Sequence, residues 1–159
     1  MEFYYDEEVK KFLNIEAYSE FLNEYIQHYS FKNAPAIVFW YESENSKVMQ
    51  ELFQKTGERP DRTVTDTAHN LFSCYWNEHN TIIFSISELV KAAERYTKRN
   101  QKADDVFRTF LICRIFYEFR HISVYRGEIK EELKDTIDNS KQEAGIFLQT
   151  KTFERVVKK

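Results

Sequence analysis

The stretch from Val106 to Tyr125, VFRTFLICRIFYEFRHISVY, decides the fold. It is predicted to form a helix with apolar side chains on nearly all sides. A helix of this kind is usually buried in the middle of a domain. Asp104 or Asp105 is placed to cap its start, and Gly127 is placed to end it. The other elements are therefore expected to pack around this helix.

Further helices are predicted before and after this central helix. They span Ile15 to Tyr29, Ser43 to Lys55, the residues after an N-cap at Ser87, Glu128 to Ile137, and Ser140 to about Val157. The first of them carries its apolar residues at the spacing of one helical face. The chain has only three Gly and two Pro, which favours long helices and few tight turns.

Three strands are predicted from short apolar runs. Ala36 to Tyr41 is rich in β-branched and aromatic residues. Leu71 to Trp76 and Thr81 to Ile86 flank a polar connection of four residues, which suits an antiparallel hairpin. The sequence thus predicts one α+β domain over residues 1–159, with a small, mainly antiparallel sheet packed on the central helix.

Composition narrows the class of protein. A net charge of −3 and a pI of about 5.9 argue against general nucleic-acid binding, which usually goes with a basic surplus. Cys74 and Cys113 form neither a disulfide framework nor a CxxC pair, so we expect a reduced protein of the cytoplasm. No apolar run reaches the length of a membrane span.

Two short segments resemble parts of a zinc-peptidase active site. Residues 117–121, YEFRH, align with the H-E-x-x-H signature, in which two histidines bind zinc and the glutamate activates water. Residues 142–147, QEAGIF, resemble the segment that supplies the third ligand. Over residues 71–153 the chain is similar to minimal gluzincin domains of the ImmA/IrrE-like and SprT-like kinds.

The resemblance implies a zincin-like fold with specific roles for several residues. Glu118 would be the general base, and His121 and Glu143 would be zinc ligands. Tyr117 stands where the first histidine ligand belongs, and a neutral phenol is a poor replacement for imidazole. Tyr117 could coordinate as a phenolate or fill the empty site. Cys113, one turn earlier, could supply a thiolate instead.

Ordinary structural roles compete with these roles for the two glutamates. Glu118 is placed four residues after Arg114 on the helix, at the spacing of a salt bridge. Glu143 follows Ser140 at the spacing of a capping box, in which its carboxylate would bond the Ser140 amide. Neither role needs a metal.

The histidines and Cys113 also have ordinary explanations. His121 could bond to a neighbouring carboxylate, and Cys113 could be a small core residue. His69 and His79 lie outside the helix, and either could approach the site or remain a surface residue. Cys74 is expected to be a strand residue without a redox role.

We therefore expect a degenerate zincin-like domain, without peptidase activity, that binds another protein or a peptide. The short chain and its Lys-, Asn-, Ile- and Tyr-rich usage fit a regulator encoded by a phage or mobile element. Two alternatives stay open. One is an active zinc-dependent peptidase with a non-standard metal site, and the other is a helical regulatory protein unrelated to zincins.

Overall fold

A computed structural model describes residues 1–28, 32–60, 71–147 and 154–156. Within these ranges the chain is α+β. The strands are β1 (Phe3–Tyr5), β2 (Ala36–Trp40), β3 (Ser73–Trp76) and β4 (Thr81–Ser85), and the longer helices are α1 (Ile15–His28), α2 (Lys47–Thr56), α3 (Ile86–Tyr96), α4 (Ala103–Tyr125) and α5 (Leu133–Phe147). Short 3-10 turns cover Glu7–Lys11 and Asn77–His79.

The sheet has the strand order β1-β2-β4-β3. The predicted hairpin is confirmed, because β3 and β4 pair antiparallel. The prediction of a mainly antiparallel sheet is wrong, since β1 pairs parallel to β2 and β2 pairs parallel to β4. The three-residue strand β1 was not predicted from the sequence, and it extends the parallel part of the sheet. The sheet is therefore mixed, with the antiparallel strand β3 at one edge.

Side chains alternate between the two faces of the sheet, as the geometry of a strand requires. Ile37 and Phe39 of β2 join a large core together with α1, α3 and α4, whereas Val38 and Trp40 join a smaller core against α2. The same alternation in β4 sends Phe84 to the large core. Helices α1, α3 and α4 thus cover one face of the sheet, and α2 packs on the other.

The predicted central helix is confirmed as α4. Buried side chains occur along most of its length, from Phe107 to Ser123, and several are fully inaccessible, including Leu111, Ile115, Phe116, Phe119 and Ile122. Helices α3 and α5 pack against α4, and so does strand β3. None of the helices in the described ranges combines the length and apolarity needed to span a bilayer.

Two predicted helix caps are wrong. Helix α3 begins at Ile86, so Ser87 lies inside its first turn. The Ser87 hydroxyl instead accepts a hydrogen bond from the backbone N–H of Glu42, at 3.2 Å. Asp104 and Asp105 lie within the first turn of α4, where their charge suits the helix dipole, and neither occupies the cap position.

The end of the chain differs from the prediction of two helices, Glu128 to Ile137 and Ser140 to about Val157. A single helix, α5, covers this junction, and residues 148–153 and 157 of the second predicted helix lie outside the described residues. Ser140 lies in its interior and its hydroxyl donates to the backbone carbonyl of Thr136, so the predicted capping box with Glu143 is wrong. No Gly or Pro lies between the two predicted segments, and α5 runs without a break across residues 137–140.

Asp6 connects the ends of β1 and β2 to the start of α2. This aspartate is 2% exposed, and its carboxylate accepts hydrogen bonds from Tyr41 N at 2.9 Å, Ser46 Oγ at 2.9 Å and Val48 N at 3.2 Å. Helix α2 begins at Lys47, later than predicted, because Ser46 is its N-cap. An anion at a helix N-terminus is also favoured by the helix dipole.

Replacing this carboxylate should destabilise the fold. Asp6→Ala leaves several donors without their acceptor, and we expect the free energy of unfolding to fall by about 3 kcal/mol. Urea denaturation followed by circular dichroism measures the loss. Glu7→Ala is the matched control, because the only ion pair described for Glu7 is an exposed one with Lys10, and it should cost less than about 0.5 kcal/mol. Equal losses in the two variants would contradict this role of Asp6.

Candidate functional site

The candidate site lies where α4 crosses β3. Glu118, the residue in the position of a general base, is 2% exposed. Its Oε1 accepts hydrogen bonds from Ser73 Oγ at 2.8 Å and from Arg114 Nη2 at 3.1 Å. The salt bridge to Arg114 that the spacing on the helix predicts is therefore confirmed. This carboxylate takes part in an internal ion pair.

Ser73 is hydrogen-bonded to both Glu118 and Arg114, and this role was not predicted from the sequence. Arg114 donates to Ser73 Oγ from Nε at 2.9 Å and from Nη2 at 2.6 Å, while the Ser73 hydroxyl donates to Glu118. The three side chains form a closed cycle that joins the first residue of β3 to α4. A serine at a strand start carries no sequence signal for a partner 45 residues away.

The second oxygen of Glu118 has a different environment. Oε2 is buried and has no hydrogen-bond partner in the described parts of the chain. His121 Nδ1 lies 4.0 Å from it, which is too far for a hydrogen bond. The His121 side chain is 37% exposed, so it extends from this buried oxygen towards solvent.

Tyr117, in the position of the first metal ligand, packs against the same arginine. Its ring centroid lies 4.4 Å from Arg114 Cζ, which is a cation–π contact, and 5.7 Å from the ring of His121. The Arg114 guanidinium therefore contacts both Tyr117 and Glu118. A positive charge occupies the neighbourhood in which the resemblance would place a zinc ion.

Glu143, the expected third ligand, belongs to a separate polar network. It accepts a hydrogen bond from Tyr25 Oη at 3.1 Å and forms an ion pair with Arg120. Arg120 also donates from Nε and Nη2 to the two oxygens of Glu131, at 2.8 and 2.9 Å. The hydrogen bonds to Glu131, together with the Glu143 charge, raise the pKa of Arg120.

The network around Arg120 joins three helices. Glu131, just before α5, also accepts hydrogen bonds from Thr136 Oγ1 at 3.1 Å and from Asn139 Nδ2. The hydrogen bond from Arg120 holds the pKa of the Glu131 carboxyl below its usual range. Glu131 was not predicted as part of any site, because nothing local in the sequence indicates that it meets a side chain on α4.

The remaining candidate ligands are not gathered around His121. Burial raises the pKa of the half-buried Cys113 thiol and raises that of Cys74 to about 12, which disfavours the thiolate form that binds metals. His79 Nε2 lies 3.2 Å from Glu58 Oε2 at the surface. His69 is outside the described residues. Within the described ranges, no three His, Cys, Asp or Glu side chains are placed to hold a metal together.

The Glu131 carboxyl should make stability depend on pH. Its pKa is lower in the folded protein than the value of about 4.3 in an unfolded chain, so its contribution is complete above that value and is lost as the pH falls through the folded pKa. We expect Glu131→Gln to lower the free energy of unfolding by about 2 kcal/mol at pH 7 and by less below pH ~4. Urea titrations from pH 7 to 3.5 test this, with exposed Glu128→Gln as the control. A constant gap between wild type and Glu131→Gln would contradict it.

Comparison with known proteins adds no further identification. No protein-family model, no curated protein and no solved structure matches this chain significantly. The zinc-site roles of Glu118, His121, Glu143, Tyr117 and Cys113 therefore stay predictions.

Proposed function

We propose that this chain is a zincin-like domain that does not catalyse peptide hydrolysis and instead works in the cytoplasm by binding another protein. One observation carries the proposal. The carboxylate of Glu118, in the position of the general base, is buried and paired with Arg114 and Ser73. The contacts made at the ligand positions and the exposed aromatic side chains support it.

A general base in a zinc peptidase must reach the proton of a metal-bound water. Glu118 is 2% exposed, and its Oε1 already accepts two hydrogen bonds from side chains. At Oε1 a substrate water would have to compete with a charged donor on the same helix, and Oε2, which has no donor in the described ranges, is buried away from solvent. The arrangement stabilises the contact between α4 and β3, and it leaves little access for a reacting group.

The ligand positions support the same conclusion. Both oxygens of Glu143 already accept hydrogen bonds, one from Arg120 and the other from Tyr25, so a zinc ion that took the place of Arg120 would break an ion pair whose arginine side chain is 16% exposed. Removing one partner from a largely buried ion pair costs about 3 kcal/mol or more. Tyr117 packs on the Arg114 guanidinium, and that positive charge opposes a zinc ion at this place. Two of the three expected ligand positions are thus engaged in interactions within the chain.

Exposed aromatic side chains and the net charge support binding of a protein partner. Most of the large aromatic side chains fill the core, yet Phe53, Tyr96 and Tyr125 are 48%, 63% and 64% exposed. Aromatic residues are enriched among those that contribute most to protein–protein binding. The absence of a basic surplus, with a net charge of −3, favours a protein over a nucleic acid as the partner.

Metal content and proteolysis test the proposal. Elemental analysis of untagged protein, purified without chelators, should find far less than one zinc per chain in both the wild type and His121→Ala. Hydrolysis of casein should not exceed the buffer rate with or without added zinc, and Glu118→Gln should behave identically. The proposal would be contradicted if the wild type held about one zinc per chain that His121→Ala lost, and if it hydrolysed casein and Glu118→Gln did not. Those results would identify an active zinc peptidase.

A second candidate function is an active zinc peptidase with an unusual site. The observation in its favour is that Glu118 Oε2 has no donor within the described ranges and lies 4.0 Å from His121 Nδ1. A buried carboxylate oxygen without a partner is uncommon in folded proteins. The same measurements of zinc content and proteolysis separate this candidate from the first.

A further inference from the structure

A cleft of about 620 Å³, here called the Trp40 cleft, lies on the opposite face of the sheet from Glu118. It adjoins the carboxyl end of β2 and borders the first turns of α2. Its walls include Trp40, Glu42, Glu44, Met49, Phe53 and Arg59. In sheets with parallel strands, ligands commonly bind beyond the carboxyl ends of the strands. The position of the cleft therefore fits a binding site.

The apolar side chains that line the Trp40 cleft differ in their exposure to solvent. Trp40 is 3% exposed and Met49 is half-buried, while the ring of Phe53 is 48% exposed. Met49 and Phe53 lie four residues apart on α2, so they share one face of that helix. Together they form a surface on which an apolar side chain of a partner can be buried.

The rim of the Trp40 cleft carries unpaired negative charge. Glu42 and Glu44 are exposed, and neither carboxylate has an ion-pair partner in the described ranges. Of the described residues that line the cleft, Arg59 supplies the opposing positive charge, so the wall has two carboxylates and one guanidinium. The surplus favours a cationic group beside the apolar surface.

The indole of Trp40, which lines the cleft, also has a hydrogen-bond donor that is unsatisfied within the described ranges. Trp40 Nε1 is buried and has no acceptor in the parts of the chain described. A buried N–H without an acceptor is costly, and a buried indole usually finds one.

We propose that the Trp40 cleft binds a segment of a partner protein that carries a lysine or arginine next to an apolar side chain. The inference rests on the proposed function, because it names the site and chemistry of the protein binding. A peptide supplies the cation and the apolar side chain together. A nucleic acid is disfavoured, because its phosphates would face Glu42 and Glu44.

Binding of defined peptides tests the site. The probe is an end-blocked, fluorescein-labelled nonapeptide with two lysines flanking a leucine, and its partner probe has glutamates in place of the lysines. Fluorescence anisotropy at 50 mM salt should show binding of the lysine peptide and none of the glutamate peptide. The double variant E42Q/E44Q should weaken binding about five-fold, as the loss of two exposed ion pairs implies. Phe53→Ser should weaken it as well.

The double variant E94Q/E128Q is the matched control, because it removes two exposed carboxylates that lie away from the cleft. It should bind the lysine peptide as the wild type does. If both double variants weakened binding of the lysine peptide equally, the peptide would be attracted by the overall charge of the protein. That result would contradict binding at the Trp40 cleft. The same holds if the lysine peptide does not bind, or if a poly-dT oligonucleotide binds better. Those outcomes leave the zinc and peptidase results untouched, so this inference can fail separately from the proposed function.

Discussion

The fold depends on one constraint, which is that α4 is apolar around most of its circumference. This helix has 23 residues, and a helix of that kind must be covered in every direction. Strand β3 packs on one side of it, α3 and α5 pack on others, and the rings of α1 reach it as well. Tyr25 of α1, for example, contacts both Phe116 and Phe119 with ring centroids 4.9 Å apart. The mixed sheet and the surrounding helices are the means by which this single helix is buried.

Burial of α4 also determines what happens to its charged residues. A charged group inside a domain must be paired, and the partners must come from whatever packs nearby. Glu118 finds Arg114 on its own helix and Ser73 on β3, while Arg120 finds Glu131 and Glu143. Two of the residues that resemble a zinc site, Glu118 and Glu143, therefore hold α4 to its neighbours. Their structural role accounts for their pairing without any metal.

The features that were predicted correctly depend on residues close together in the sequence, whereas the missed features depend on residues far apart. The central helix, β2 and the hairpin follow from periodicity within short windows, and the pairing of Arg114 with Glu118 follows from their spacing of four residues. The parallel pairing of β1 with β2, by contrast, joins residues 34 positions apart, such as Phe3 and Ile37. Ser73 and Glu131 likewise meet their partners only after the chain has folded. The division of the chain end into two helices failed because Ser140 satisfies a capping pattern that the continuing helix overrides.

Strand β4 links the site on α4 to the Trp40 cleft on the other face of the sheet. Trp40 pairs with Ser85, and the neighbouring residue of β4, Phe84, pairs with Ser73, which holds Glu118 and Arg114. The backbone of Glu42, on the rim of the cleft, is held by the Ser87 hydroxyl at the start of α3. The cycle of Arg114, Ser73 and Glu118 therefore fixes the strands whose ends shape the cleft. The buried ion pair of Glu118 and Arg114 thus holds the edge strand β3 against α4, and β4 connects that edge to β2, whose carboxyl end adjoins the cleft.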